Sequence, residues 1–313
     1  MRKCVIIINP ESGKKRKLKN YNIFYDTLRN HGYETEIIFT KRKGHATEIV
    51  EGLDNHIDLV ISAGGDGTLN EVVTGNMRRK HKLLLANLPL GTTNDVGNMY
   101  GYTKNIKNNL EILLDGKPKK IDVCYIDDTA FVYVACLGDY IDMAYNTPRE
   151  LKKKYGKLAY ILYGLKQIRP KIRSYNIRYK VGGKVHEGKY SFFFITNSSR
   201  IAGVSDIYYD VKLDDNKFEV AFADVKNYRD IVKMFILMNA VDIEYIPGIT
   251  YYKTNELEIE FLDRPKTSWC VDGEEYSSPN TKYTFRVEKD MKMLMPKKNI
   301  KQLFEEESAD GYE

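Results

Sequence analysis

The chain has 313 residues, of which 42% are hydrophobic and 29% charged, with a formal net charge of +6 and four cysteines. That length leaves room for two domains, and the composition excludes a disordered, collagenous or disulfide-stapled chain. The apolar run Val5–Ile8 is too short for a signal peptide or a membrane span. Cys4, Cys124, Cys136 and Cys270 are scattered without CxxC spacing, so a reduced, cytosolic interior is expected rather than disulfides or a zinc site.

In chain order, short unbroken apolar runs at Cys4–Ile8, Thr35–Phe39, Leu59–Ser62 and Leu83–Asn87 predict strands buried on both faces. Helical patterns alternate with them: one through Leu18, Tyr21 and Leu28 ending at Gly32, then Thr47–Leu53, Leu69–Met77, and Leu110–Leu114 ending near Gly116. This alternation predicts an α/β domain over 1–125, a parallel sheet with helices on both faces. From 126 to 287 the strands become aromatic and β-branched: Phe131–Ala135, Tyr175–Lys180, Lys184–Ile195, Lys217–Ala223, Ile249–Tyr252, Glu256–Phe261 and Thr281–Val287. With turn signals at Gly182-Gly183 and Asp214-Asp215-Asn216, they predict a mostly antiparallel β-sandwich. Helices are expected near 150–168 and 227–240. The tail, 288–313, is expected to pack back on the first domain, with a short helix at Asn299–Glu306.

Three loops follow predicted parallel strands, beyond whose carboxyl ends the ligands of such sheets bind. In Gly64-Gly65-Asp66-Gly67-Thr68 the glycines remove the Cβ atoms that would keep a ligand from the backbone, and the helix after them adds partial positive charge. Asp66 would repel a phosphate unless a divalent cation lay between, so the composition points to a nucleotide with Mg2+. The same residues also fit a glycine-rich strand-to-helix turn with Asp66 or Thr68 as its cap. Asn9-Pro10-Glu11-Ser12-Gly13, before the basic run Lys14–Lys17, reads as a second phosphate loop or as Ser12 capping a helix; it lacks P-loop spacing. Pro89–Asp95 offers hydroxyls, an amide and a carboxylate, or a capped turn.

Taken together, NPESG at Asn9–Gly13, GGDGTLNE at Gly64–Glu71 and LPLGTTND at Leu88–Asp95 resemble the diacylglycerol kinase catalytic domain of bacterial lipid kinases, a group that includes sphingosine and ceramide kinases. GGDGT alone is shared with NAD kinases; Leu69-Asn70-Glu71 and Gly91–Asp95 favour the lipid kinases. The resemblance runs from Asn9 to about Val287 and implies ATP and Mg2+ in a cleft between an α/β nucleotide domain and a β-sandwich. It implies that Asn9, Ser12, Gly13 and Thr40 line the nucleotide, while Gly64, Gly65, Gly67 and Thr68, with Asn70, Glu71 and Thr92, hold the phosphates and their surroundings. Asp66, Asp95 and Asp122 match the carboxylates that hold the catalytic Mg2+, largely through water; Asp122 also fits an exposed acid at a strand start. Asp272-Gly273-Glu274 resembles the family's DGE motif, with Asp272 as the general base and Glu274 near the nucleotide or metal. Judged locally, Asp272-Gly273 is a hairpin turn. Val211–Lys217 resembles a loop binding a second Mg2+ through the Asp215 carboxylate and the carbonyls of Lys212 and Lys217. It departs from that pattern at Asn216, where glycine is usual, and at Ala202-Gly203-Val204, which replaces a more glycine-rich run; Asn tolerates the left-handed conformation.

The basic excess is local, for Arg149–Arg173 holds nine Lys/Arg and one acid. With apolar residues at Leu151, Tyr155, Leu158, Leu162, Leu165 and Ile168, segment 149–173 suits an anionic membrane surface or is a packed helix with a solvated face. No nucleic-acid module accompanies it. The expectation is a cytoplasmic kinase, peripheral on the inner membrane face, that phosphorylates a lipid, diacylglycerol first. The alternatives are another acceptor (phosphatidylglycerol, a sphingoid base, ceramide or NAD) or a non-catalytic nucleotide-binding membrane protein. Family members are often homodimers, and no interface is legible here.

Overall fold

The computed structural model describes residues 1–12, 21–139, 172–199, 210–237, 241–298 and 300–305. Its first part runs β1 (Arg2–Ile8), α1 (Asn22–Asn30), β2 (Tyr33–Phe39), α2 (His45–Gly52), β3 (Leu59–Gly64), α3 (Asp66–Arg78), β4 (Leu85–Pro89), α4 (Asp95–Met99) and α5 (Ile106–Leu114). Strands β2, β1, β3 and β4 lie side by side in that order, all parallel. Every residue of β3 is buried, as are the last five of β1. Because successive side chains point to opposite faces, such runs require both faces to be covered. The helices do this, α2 packing on α3 and α1 on α5.

The antiparallel part comprises β5 (Lys117–Ile126), β6 (Thr129–Phe131), β7 (Val134–Gly138), β8 (Tyr175–Val181), β9 (Lys184–Tyr190), β10 (Phe192–Thr196), β11 (Phe218–Ala223), α6 (Tyr228–Leu237), β12 (Ile249–Thr254), β13 (Glu256–Phe261), β14 (Trp269–Val271), β15 (Glu274–Tyr276) and β16 (Lys282–Met295). One six-stranded sheet runs β12-β11-β10-β7-β14-β15. The others join the parallel strands, for the larger sheet runs β2-β1-β3-β4-β16-β13-β8-β9, with β5 pairing β16 and β6. Between the two sheets Phe193, Phe222, Phe261, Trp269 and Phe285 form one core. Phe193 meets Phe261 edge to face at 5.2 Å and Trp269 meets Phe285 at 5.3 Å. Each such pair contributes about 0.5–1.5 kcal/mol beyond burial. The α/β part and the antiparallel sandwich agree with the fold class expected from the sequence.

Two strands expected as single are broken, each for a polar reason. Phe131–Ala135 divides into β6 and β7 because the N–H groups of Val132 and Tyr133 leave the ladder for the Asp272 carboxylate. Lys184–Ile195 divides at Ser191, where the chain passes from one sheet to the other. There the Ser191 hydroxyl donates to the Ala223 carbonyl (2.9 Å) and accepts from Val225 N (2.7 Å). The last strand is longer than Thr281–Val287 and reaches Met295, so that Met293 pairs with Leu85 of β4. After it, Ile300, Leu303 and Phe304 bury themselves in the core of the α/β part. Residues 299 and 306 lie outside the described residues, and between them a single 3-10 turn, Lys301–Leu303, replaces the expected helix. The helix expected near 150–168 also lies outside them.

Candidate active site

The Gly64–Thr68 turn joins β3 to α3 at the carboxyl edge of the parallel strands. A Cβ on Gly64 would lie 2.4 Å from the Thr68 hydroxyl, so that glycine is required by packing. At Gly65 and Gly67 a Cβ would make only ordinary contacts, 3.5 Å from the Gly91 Cα and 3.6 Å from the Glu274 Oε1, so packing alone requires neither glycine. No side chain caps α3. Its first N–H groups therefore have no side-chain acceptor from a cap, the condition for anion binding at a helix start. Asn9 arrives from the end of β1, its amide donating to the Thr68 hydroxyl at 3.2 Å, and Thr40 N pairs with the Ile8 carbonyl at 2.9 Å. Ser12 N donates to the Asn9 carbonyl, and Thr92 is exposed in the third loop. These sequence-predicted residues are thus brought to one edge; Gly13 lies outside the described residues.

Asp66 does not cap its own helix. Its carboxylate accepts from Asp95 N (2.9 Å) and Val96 N (3.2 Å), fixing the start of α4 against the glycine turn. Burial pushes Asp66 up to about 7, with nearby Asp95 and Asp272 adding repulsion against those two N–H bonds. A carboxyl so placed gains from a cation. Among the described residues, no group of three or more His, Cys, Asp or Glu is positioned to hold a metal. A Mg2+ at buried Asp95 and Asp66 would take its other ligands from phosphate oxygens and water, the usual arrangement for this ion, so these residues fit it.

Asp272 sits at the β14–β15 turn with φ 48°, followed by Gly273 at φ 87°, so the hairpin turn and the buried carboxylate are the same residue. Its Oδ1 accepts from Tyr133 N and Val134 N, 3.0 Å each, and its Oδ2 from Val132 N (2.6 Å) and Asn70 Nδ2 (2.8 Å). Burial pushes this carboxyl above the ordinary range, and the four donors pull the other way.

Asn70 therefore turns toward Asp272, and Glu71 toward the β2–α2 loop, accepting from Gly44 N (2.8 Å) and Ala46 N (3.1 Å). That loop presents Lys43, whose ammonium lies 2.7 Å from exposed Glu274, across from Gly67. Sequence reasoning missed Lys43; its one signal is a basic run beside Gly44. It also missed the Val132–Val134 N–H groups, which carry no side-chain signal.

Asp122 keeps different company. Its Oδ2 accepts from Asn216 N (2.6 Å), and its neighbours in a small cleft are Lys119, Lys120, Asp214 and Lys289. Asn216 does take the left-handed conformation, φ 59°. Nearby, the Asp215 carboxylate accepts from Lys217 N (3.0 Å) and pairs with the Lys253 ammonium (3.0 Å), while the Lys212 ammonium donates to the Gln302 carbonyl. A second Mg2+ at Asp215 would have to displace Lys253, so the residues present do not fit it. Residues 202–204, and 149–171 of the basic segment, lie outside the described residues; Arg173 closes on buried Asp139 at 3.2 Å. Among the described residues, no helix is long and apolar enough to cross a membrane.

The sequence matches the diacylglycerol kinase catalytic domain over residues 3–126. A diacylglycerol kinase of Staphylococcus aureus (strain bovine RF122 / ET3-1) is 30% identical over 270 residues, covering 86% of this chain and 85% of that protein. One of Staphylococcus haemolyticus (strain JCSC1435) is 31% identical over 279 residues, 88% of this chain and 83% of its own. The crystal structure of a diacylglycerol kinase from Bacillus anthracis str. Sterne shares the fold, with a TM-score of 0.76, 23% identity and coverage of 95% of this chain and 97% of that one. With its glycine turn, its buried Asp272 and these relatives, the chain belongs to the diacylglycerol kinase family.

Proposed function

We propose that the protein transfers the γ-phosphoryl group of ATP to the hydroxyl of a membrane lipid, diacylglycerol first, giving phosphatidic acid and ADP. The observation that carries this reading is the hydrogen bond from Asn70 to Asp272, 2.8 Å, which joins the helix of the glycine turn to a buried carboxylate from the other sheet. An anion site at the start of a helix and a proton acceptor held against that helix are what phosphoryl transfer to an alcohol needs.

The open N-terminus of α3 and the glycine turn would hold the phosphates, with Thr68 oriented by Asn9. Asp66 and Asp95 would hold Mg2+, which when bound neutralises charge on the phosphate oxygens. Asp272 would accept the hydroxyl proton as the lipid oxygen bonds to phosphorus and the bond to ADP breaks, its electrons leaving with ADP. A lipid acceptor requires contact with a bilayer, and the composition of segment 149–173 suits an anionic one on the inner membrane face.

The test is γ-labelled ATP with diacylglycerol, phosphatidylglycerol, sphingosine, ceramide and NAD, the lipids in mixed micelles and the products separated by chromatography. Label appearing first in phosphatidic acid supports the reading. Label in another product reassigns the acceptor. ATP binding with no labelled product in any arm overturns the kinase reading.

A further inference from the structure

The Asp272 carboxylate has no spare acceptor position. A carboxylate offers about four lone-pair sites, and four donors fill them, two on each oxygen. Three are backbone N–H groups of the consecutive residues Val132, Tyr133 and Val134, at the bend between β6 and β7. They are fixed by the strands on either side, and the bend also receives Asp272 N on the Val134 carbonyl, 2.8 Å. The fourth donor is a side chain from another element. Asn70 projects from α3, and its amide nitrogen also donates to the Ala130 carbonyl at 3.0 Å. Both of its N–H bonds thus run to the wall that carries the carboxylate, and neither runs toward the glycine turn.

An alcohol can give its proton to Asp272 only by hydrogen-bonding to it first. With every site filled, one donor must give way, and withdrawing a backbone N–H would undo the bend. We propose that Asn70 is the positioning residue of Asp272: its amide holds the carboxylate in place until the acceptor hydroxyl arrives and takes over that hydrogen bond. This rests on the reading of Asp272 as the proton acceptor and departs from the role among the phosphates that the family resemblance implied for Asn70. It also gives α3 two tasks one turn apart, anchoring the phosphates at its start and setting the base at Asn70.

The two roles separate kinetically. The full chain is assayed with ATP, Mg2+ and diacylglycerol in mixed micelles, as wild type, Asn70→Ala and Asn70→Ser. ADP affinity is measured by calorimetry and folding by thermal melts. Misplacing the base should lower kcat by about 10- to 100-fold in Asn70→Ala, with KM for ATP and affinity for ADP unchanged. Asn70→Ser leaves room for a water to donate to Oδ2 in place of the amide, and its kcat should fall between the two. It also serves as the measured variant if Asn70→Ala gives no cooperative melt. A raised KM for ATP with kcat preserved would return Asn70 to the nucleotide site and overturn the inference, as would unchanged kinetics. Asp272→Asn is run alongside. Loss of turnover there with normal Asn70 variants overturns only the role of Asn70, whereas turnover by Asp272→Asn overturns the proton-acceptor reading beneath it.

Discussion

Asp66, Glu71 and Asp272 are acids within one neighbourhood, and each spends its charge on backbone N–H groups of another segment. Hydrogen bonds to a charged acceptor are stronger than neutral ones, so these carboxylates help fix the segments that donate to them. Glu71→Ala should release Gly44 and Ala46, and with them the loop that presents Lys43. We expect a loss of about 2 kcal/mol in urea unfolding, the magnitude of a lost charged hydrogen bond. Lys253 plays the matching part at Asp215 and also lies 3.7 Å from buried Glu219. Lys253→Met should cost about 2 kcal/mol, less than the roughly 3–5 kcal/mol of a fully buried pair because Lys253 keeps solvent contact. With that ammonium in place, the melting temperature of the nucleotide-free wild type should be the same in EDTA as in Mg2+. A fall in EDTA would show a divalent cation holding the Asp215 loop instead. Residues whose conformation is set locally were legible in the sequence: Asp272-Gly273 read as a hairpin turn, and it forms one. Glu71 and Asn70 were not, because a motif gives position along the chain and not the direction of a side chain.

Among the elements, α3 bears most of the site, and its fit against α2 depends on Gly75. A Cβ there would lie 2.6 Å from the Thr47 carbonyl and 3.0 Å from the Val50 Cβ. Gly75→Ala should therefore push the helices apart and cost about 1–3 kcal/mol, as overpacking does, despite the better helix propensity of alanine. Thermal unfolding measures this, and a stabilised variant would refute the close approach. Strands β1, β3 and β4 were visible in the sequence because burial on both faces leaves unbroken apolar runs. The break between β6 and β7 was not, since its cause is a carboxylate 140 positions away. Strand β5 was hidden differently: its first half, Lys117–Lys120, is largely exposed and lysine-rich, and only its pairing with β16 makes it a strand.

At the scale of the whole molecule, β16 is the connection that the sequence reading placed only loosely, as a tail packing back on the first domain. It pairs with β13 and β5 and, at Met293, with Leu85 of the parallel strands, so both parts share one sheet. Unfolding should accordingly be a single transition. The fluorescence of Trp269, the sole tryptophan and buried between the two sheets, should change together with the far-ultraviolet circular dichroism, and separated midpoints would mean two independent units. The Asn70–Asp272 hydrogen bond joins the helix of the glycine turn to the other sheet, and the proposed function is that this meeting transfers phosphate to a lipid. Its most direct measurement is the rate of label transfer from γ-labelled ATP to diacylglycerol by Asp272→Asn. The assay is run below that variant's own melting temperature, because an amide facing backbone N–H groups carries a folding cost. A loss of about 10²- to 10⁴-fold is expected, the contribution of a positioned general base, with ADP affinity unchanged; near-normal transfer by Asp272→Asn would contradict its role as proton acceptor.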